Sequence, residues 1–185
     1  MKAGLLAIFQ NYQSQKTDTE VYQDVMGILE SAEPLGFDFV LVTEHHFADY
    51  SMSPDNTNIL SYLAAKTDNI KLGTGAIIVP WHDPLRCAEK MLVLDQLSQG
   101  RALLGLGRGL ARIEYEILDL DMSDSRERFD EGARMIKSAL ETGFIESDGP
   151  MYPQKRAQLR PGPYDPNWDD RFFSVGMSPA SVLEA

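Results

Sequence analysis

The chain has 185 residues, of which 43% are apolar and 24% are charged, a composition typical of one globular domain. Acidic residues outnumber basic ones by 28 to 17, and no cluster of Lys and Arg with interleaved aromatic residues indicates a nucleic-acid-binding surface. No stretch approaches the ~20 apolar residues of a membrane span, and the single cysteine, Cys87, excludes an internal disulfide. We therefore expect one domain over residues 1–185, located in the cytoplasm, without nucleic-acid or membrane partners.

The chain begins with an apolar run followed by a helical pattern. Residues 3–9 are predicted to form a buried strand. A capping box formed by Thr17 and Glu20 predicts the start of the first helix, which should end near Gly36. A second strand is predicted at 37–42, so the pattern starts as strand, helix, strand.

The same alternation continues through the next unit. Ser53 followed by Pro54 predicts the start of a second helix, with the serine as N-cap and the proline at the first helical position. Residues 70–79 are rich in β-branched residues and glycine and predict a third strand. Asp83 followed by Pro84 predicts the start of a third helix.

The last part of the chain contains two more predicted strands. Residues 102–106 predict a fourth strand, which leads directly into a glycine-bearing turn at 107–109. A long helix is predicted at 126–140 from apolar residues at helical spacing. The Pro-rich segment 143–171 is predicted to be a long loop, and 172–175 a fifth strand.

Alternating strands and helices predict an α/β fold with a parallel sheet. A doubly wound sheet and an eight-stranded barrel both fit this alternation, but no G-x-G-x-x-G sequence follows the first strand, which argues against a Rossmann dinucleotide site. A (β/α)₈ TIM barrel takes ~250 residues. We therefore expect a truncated barrel with about the first five βα units.

Polar residues follow the predicted strands at their carboxyl ends, where parallel α/β folds collect their reactive groups. These residues are Glu44, His45 and His46 after the second strand, Trp81 and His82 after the third, Arg108 after the fourth, and Met177 and Ser178 after the fifth. We expect them to surround one mouth of the barrel.

Five sequence motifs together carry a family resemblance. They are E-H-H-F at 44–47, L-G-T-G-A-I-I-V-P at 72–80, D-P-L-R at 83–86, L-D-Q-L-S-Q-G-R at 94–101 and G-L-G-R-G at 105–109. In combination they resemble the bacterial luciferase-like family of flavin-dependent monooxygenases. The resemblance runs through the whole chain but covers only about the first half of a typical member.

This resemblance implies a flavin site at the barrel mouth. His45 matches a histidine that acts as a general acid or base beside the flavin, and imidazole titrates in a range suited to that task. Gly75 and Ala76 match a small-residue pair that forms a non-proline cis peptide beneath the isoalloxazine ring. From the residues alone, a structural histidine and a glycine that only relieves packing remain alternatives.

The phosphate of the cofactor is assigned to two groups. Arg108 offers forked donors that match phosphate oxygens, and Ser178 stands at a predicted helix N-terminus, where free N–H groups attract anions. The resemblance adds Ser181, and Val175 and Met177 are assigned to the same cofactor site. A surface arginine and an ordinary helix cap are the alternatives.

A metal site at Glu44, His45 and His46 is a competing interpretation, because carboxylates and imidazoles bind zinc or iron. Adjacent residues at a strand end point in different directions, so we expect no metal. His46 is expected to be structural or hydrogen-bonding, and Glu44 to be an orienting partner.

The resemblance implies a monooxygenase that uses reduced FMN and O₂ on a small organic substrate, alkanal- or hydrocarbon-like. It also implies a homodimer or a paralogous heterodimer, and a separate flavin reductase as a further partner. A deazaflavin-dependent hydride-transfer variant and a non-catalytic flavin-binding homologue or inactive fragment are the alternatives. Gly107 and Asp83 replace a cysteine and a histidine of luciferase proper, so light emission is not expected.

Overall fold

The computed structural model describes residues 1–176; Met177, Ser178 and Ser181 lie outside the described residues. The strands are β1 (Gly4–Ala7), β2 (Phe39–Val42), β3 (Lys71–Thr74), β4 (Ile77–Ile78), β5 (Ala102–Gly107), β6 (Phe144–Ser147), β7 (Gln154–Gln158) and β8 (Phe172–Ser174). The α-helices are α1 (Asp18–Ser31), α2 (Asn56–Ala64), α3 (Pro84–Leu97), α4 (Arg112–Ile117) and α5 (Ser125–Thr142).

The main sheet is parallel, and its strands follow one another in chain order. Strand β1 pairs with β2, and β2 pairs with β3. Strand β5 pairs with both β3 and β4, which together form one interrupted strand position, and β8 pairs with the other edge of β5. A barrel has this sequential order, whereas a doubly wound sheet reverses direction at a switch point. The α/β class with a parallel sheet is therefore confirmed.

The hydrophobic core lies between the sheet and a layer of helices. Helix α3 packs against both α2 and α5, while α2 contacts β3 and α3 contacts β5. Fully buried side chains on these elements include Leu60 on α2, Leu72 on β3, Leu92 on α3, Leu104 on β5 and Ile136 on α5. Within residues 1–176, no helix is both long and apolar enough to cross a membrane.

Two predicted helix starts have different outcomes. Thr17 and Glu20 form the predicted capping box of α1. Helix α2, however, begins after Asp55, whose side chain accepts the Asn58 N–H. The predicted cap Ser53 is instead buried and donates its hydroxyl to the Thr43 carbonyl. The Ser53 hydroxyl is therefore used within the loop that follows β2, and Asp55 caps α2 instead.

The predicted third strand is divided into two. Strand β3 ends at Thr74 and β4 begins at Ile77, and the peptide bond between Gly75 and Ala76 is cis. After β5, the structure contains a helix that the sequence pattern did not reveal. Helix α4 has only six residues, which is too short for an apolar repeat to be recognised.

The segment 143–171 contains regular structure where a long loop was predicted. Strands β6 and β7 form an antiparallel hairpin, which α5 contacts through β6. The segment ends in an anchor: Arg171 Nη1 lies 2.6 Å from Oδ1 of the buried Asp95 on α3, and its guanidinium stacks on Trp168. The two strands are short, and the many prolines and charged residues of this segment gave no alternating apolar pattern by which to predict them.

Candidate functional site

The carboxyl ends of the main strands surround an open cavity of about 630 Å³. Of the predicted site residues, His45, Gly75, Ala76, Arg108 and Val175 all line this cavity. His45 follows β2, and Gly75 and Ala76 lie between β3 and β4. Arg108 follows β5, and Val175 follows β8. Glu44 and Trp81, also assigned to the barrel mouth, line the cavity as well, whereas His46 and His82 do not.

The floor of the cavity is formed by small residues around the Gly75–Ala76 peptide. The buried Asn56, at the start of α2, donates from Nδ2 to the Ala76 carbonyl at 3.1 Å and to the Val42 carbonyl at 3.2 Å. A Cβ at Gly107 would lie 3.0 Å from Ile78 Cδ1 and 3.3 Å from the Ala76 methyl. Gly107 on β5 thus leaves the cavity floor without a side chain beside the Gly75–Ala76 cis peptide, which the sequence predicted.

His45 is held on two sides. Its Nδ1 lies 3.1 Å from Glu114 Oε1, and its ring makes an edge-to-face contact with Tyr50 at 4.8 Å between centroids. The imidazole is 29% exposed, so it stays accessible from the cavity. Glu114 comes from α4, the helix that the sequence did not predict.

Glu44, at the end of β2, forms hydrogen bonds with the other two histidines, His46 and His82. Its Oε1 accepts from His46 Nε2 at 3.1 Å and from His82 Nε2 at 2.5 Å, and its Oε2 accepts the Ile78 N–H at 3.0 Å. Burial acts to raise the pKa of Glu44, but these hydrogen bonds and the charge of His82 outweigh burial and hold the pKa below its usual range. The predicted hydrogen-bonding role of His46 and orienting role of Glu44 both agree with this arrangement.

Glu44 also lines a second, water-sized cavity of about 30 Å³ beside His82 and Cys87. The thiol of Cys87 is buried, and burial, followed by the negative charge of Glu44, raises its pKa. Within residues 1–176, no group of three or more His, Cys, Asp or Glu side chains is arranged to hold a metal ion.

Arg108 lines the cavity directly after β5 and is half-buried. Its carbonyl accepts a short hydrogen bond from the Tyr115 hydroxyl, which ties the turn to α4. Arg126, from the first turn of α5, lines the same cavity. Two guanidinium groups therefore contribute positive charge to one cavity in a chain whose net charge is −11.

Several residues of the site were missed from the sequence. Glu114 and Tyr50 contact His45, Asn56 holds the Ala76 carbonyl, and Arg126 lines the cavity. None stands at the carboxyl end of a strand, which was the signal used to find site residues. Only the contacts made in three dimensions identify them.

Comparison with known proteins identifies the family of this chain. A family model described as luciferase-like monooxygenase matches residues 1–184. The alkanal monooxygenase alpha chain of Photorhabdus luminescens is 30% identical over 150 residues, which are 81% of this chain and 42% of that protein. The alkanal monooxygenase beta chain of the same organism is 30% identical over 176 residues, which are 95% of this chain and 54% of that protein. The chain thus spans about half the length of these relatives.

Solved structures share the fold. The monooxygenase RslO1 from Streptomyces bottropensis matches 100% of this chain and 56% of its own, with 29% identity and a TM-score of 0.87. The oxygenating constituent of 3,6-diketocamphane monooxygenase from Pseudomonas putida, in complex with FMN, covers 98% of this chain and 53% of its own, with 17% identity and a TM-score of 0.81. An F420-dependent secondary alcohol dehydrogenase covers 100% of this chain and 56% of its own, with 20% identity and a TM-score of 0.79. At 17% and 20% identity, the last two show likeness of fold alone.

Proposed function

Because the chain belongs to the luciferase-like monooxygenase family, we propose that it is part of a flavin-dependent monooxygenase that uses reduced FMN and O₂ on a small organic substrate. The observation that carries this proposal is the cavity at the carboxyl ends of the strands, where His45, the Gly75–Ala76 peptide and Arg108 converge. Parallel α/β folds place their active sites at this end of the sheet.

The residues present fit a flavin. The cavity volume of about 630 Å³ lies within the usual range for cofactor pockets. Ala76 and Gly107 leave a flat floor that a larger side chain at Gly107 would fill. Arg108, with Arg126 on the same cavity, supplies donors and positive charge suited to a phosphate. Val175 closes the wall beyond β8.

When bound, reduced flavin supplies two electrons and reacts with O₂, so that one oxygen atom enters the substrate and the other leaves as water. His45 is placed to hold or move a proton at Nε2, because Nδ1 is engaged by Glu114. Ile78 and Trp81 contribute apolar walls that limit the access of water.

The entrance of the cavity favours an apolar substrate. Leu110 and Ile113 line it and are 58% and 52% exposed, although both are large hydrophobic residues. Apolar side chains at a cavity entrance match alkyl groups, and this supports an alkanal- or hydrocarbon-like substrate. The relatives named alkanal monooxygenase agree with this class.

The whole protein's organisation is part of the same proposal. We propose that the parallel strands are an arc of a TIM barrel, whose closure takes about three further βα units. We propose that a homodimer or a paralogous heterodimer is the working assembly, since relatives are named as alpha and beta chains. A separate reductase is the proposed source of reduced flavin.

The experiment begins with an anaerobic titration of the protein with reduced FMN, followed by addition of ¹⁸O₂ and a medium-chain alkanal. The proposal expects FMN binding and one ¹⁸O atom in the carboxylic acid product. A deazaflavin enzyme is the second candidate, supported by the F420-dependent dehydrogenase of the same fold. It would instead bind F420 and transfer hydride without uptake of oxygen. FMN binding without product would favour the non-catalytic homologue, and binding of neither cofactor would overturn the flavin site.

A further inference from the structure

We propose that Glu114 is the positioning residue of the site, and that it fixes His45 as the tautomer with hydrogen on Nδ1. The inference rests on the proposed function only in assuming that His45 works in the reaction. The geometry behind it lies entirely within the described residues: Glu114 Oε1 lies 3.1 Å from His45 Nδ1 and 2.7 Å from the backbone nitrogen of His46.

The backbone N–H of His46 shows that Glu114 Oε1 is a hydrogen-bond acceptor. A backbone N–H only donates, so Oε1 accepts at 2.7 Å. An ionised carboxylate is an acceptor at both oxygens. Because the carboxylate has no hydrogen to donate, the hydrogen of the 3.1 Å contact lies on His45 Nδ1.

The orientation of the ring is fixed as well. Tyr50 packs edge-to-face against the imidazole, and Glu114 holds the Nδ1 side. Rotating the ring by half a turn would break the Glu114 hydrogen bond and leave a buried carboxylate oxygen with one donor fewer, which is unfavourable. Neutral His45 thus keeps an unprotonated Nε2, the nitrogen that the Glu114 contact does not occupy, and it can accept a proton there.

The other two histidines provide an internal contrast. His46 and His82 both approach Glu44 Oε1 with Nε2. Glu44 Oε2 accepts the Ile78 N–H, and the low pKa of Glu44 keeps the carboxylate ionised near neutral pH. Both rings therefore carry hydrogen on Nε2. The structure assigns one tautomer to His45 and the opposite tautomer to the remaining two histidines of the chain.

The test is nitrogen NMR of the flavin-free protein labelled with ¹⁵N-histidine, at a pH where the imidazoles are neutral. His45→Asn identifies the His45 signals. Wild type should show His45 as Nδ1–H, and His46 and His82 as Nε2–H. Glu114→Leu removes the acceptor at similar volume, and the ratio of Nδ1–H to Nε2–H at His45 should fall by about tenfold or more.

Three further variants complete the design. Glu114→Gln keeps an acceptor oxygen and should retain the Nδ1–H tautomer. Glu114→Asp, one methylene shorter, should lose part of the preference and serves if Glu114→Leu does not fold. Glu116→Leu, at an exposed position of the same helix, should change nothing. Folding of each variant is checked by circular dichroism.

A wild-type His45 with hydrogen on Nε2, or folded Glu114→Leu and Glu114→Asp proteins that both keep the wild-type ratio, would overturn the assignment. Because the measurement needs no flavin, it is independent of the proposed function. Absence of FMN binding with the expected tautomers would refute the monooxygenase proposal and leave the role of Glu114 intact. In the FMN-loaded enzyme, Glu114→Leu should lower kcat with little change in FMN affinity.

Discussion

Glu44 and His82 are joined by a hydrogen bond of 2.5 Å between Oε1 and Nε2, which links the end of β2 to the turn that follows β4. The Glu44 side chain is only 2% exposed, and it accepts two further hydrogen bonds, from His46 and from the Ile78 N–H. One buried carboxylate therefore holds three segments at the mouth of the sheet, and its removal should be felt in stability as well as in the site.

Glu44→Gln should lower the free energy of unfolding at pH 7 by about 1–3 kcal/mol, because an amide accepts these hydrogen bonds less strongly than a carboxylate. The pKa of Glu44 in the folded protein lies below its ordinary value of 4.5. Its stabilisation is thus fully present above that value and is lost as the pH falls through the folded-state pKa. Urea unfolding should show the difference between variant and wild type shrinking below about pH 5. A difference that grows below about pH 5 would contradict this assignment.

Arg171→Met should destabilise the protein by about 3–5 kcal/mol, because it leaves the buried Asp95 without its ionic partner. Adding Asp95→Asn should recover part of that loss, as a double-mutant cycle in urea would reveal. The control is Arg156→Met, which breaks an ion pair with Glu146 in which both side chains are 57% exposed. That change should cost no more than about 1 kcal/mol, and equal losses for the two arginines would count against the anchor.

Two glycines on β5 should respond differently to alanine. A Cβ at Gly105 would lie 2.3 Å from the Thr74 carbonyl oxygen and 2.5 Å from the Phe173 ring, so backbone must move. Gly105→Ala should therefore cost about 1–3 kcal/mol or more in thermal or urea unfolding. A Cβ at Gly107 would have side chains as its closest neighbours, at 3.0 Å and 3.3 Å, with the Ile77 carbonyl oxygen at an ordinary 3.9 Å. Gly107→Ala should therefore cost less than about 1 kcal/mol. The reverse order of stability would show that the strand packing is misassigned.

Arg108→Ala should weaken FMN binding by about tenfold to a hundredfold, as expected for loss of a charge-assisted hydrogen bond to phosphate. Riboflavin, which lacks the phosphate, should bind wild type and variant almost equally. Arg112→Ala is the matched control, since Arg112 is exposed at the start of α4, four residues further on. Fluorescence titration measures both ligands, and a parallel loss of FMN and riboflavin affinity would argue against a phosphate role.

Cys87 should resist alkylation in the folded protein at pH 8. The residue is 3% exposed, and burial raises the pKa of its thiol, so little thiolate is present or accessible. Iodoacetamide should label the thiol only as fast as the protein unfolds, and rapidly in urea, as mass spectrometry would record. Fast labelling of the native protein would place the thiol in contact with solvent.

The sequence predicted the parts of the fold that depend on local patterns. The capping box at Thr17 and Glu20, the alternation of strands with helices, and the helix start at Asp83 all appear in the structure. The start of α2 and the β6–β7 hairpin were not predicted. Ser53 does not cap α2 because its hydroxyl donates to the Thr43 carbonyl. The hairpin depends on pairing between short polar strands, which have no clear apolar pattern.

The site could be predicted only where it lies at strand ends. His45, Gly75, Ala76, Arg108 and Val175 line the same cavity because parallel strands end on one side of the sheet. Glu114 could not be found in this way, since it reaches His45 from a six-residue helix 69 positions away in the chain. Long-range hydrogen bonds of this kind leave no periodic signal in a single sequence.

The Asp95–Arg171 ion pair fixes the end of the long connection between α5 and β8. The hairpin ends at Gln158, while β8 begins at Phe172, directly after the anchored arginine. Strand β8 is therefore held at its start by the anchor to α3 and along its length by pairing with β5, and Ser174 at its end lines the cavity. Insertions and deletions within the hairpin should therefore leave the cavity wall in place, so the length of this segment can change without altering the site.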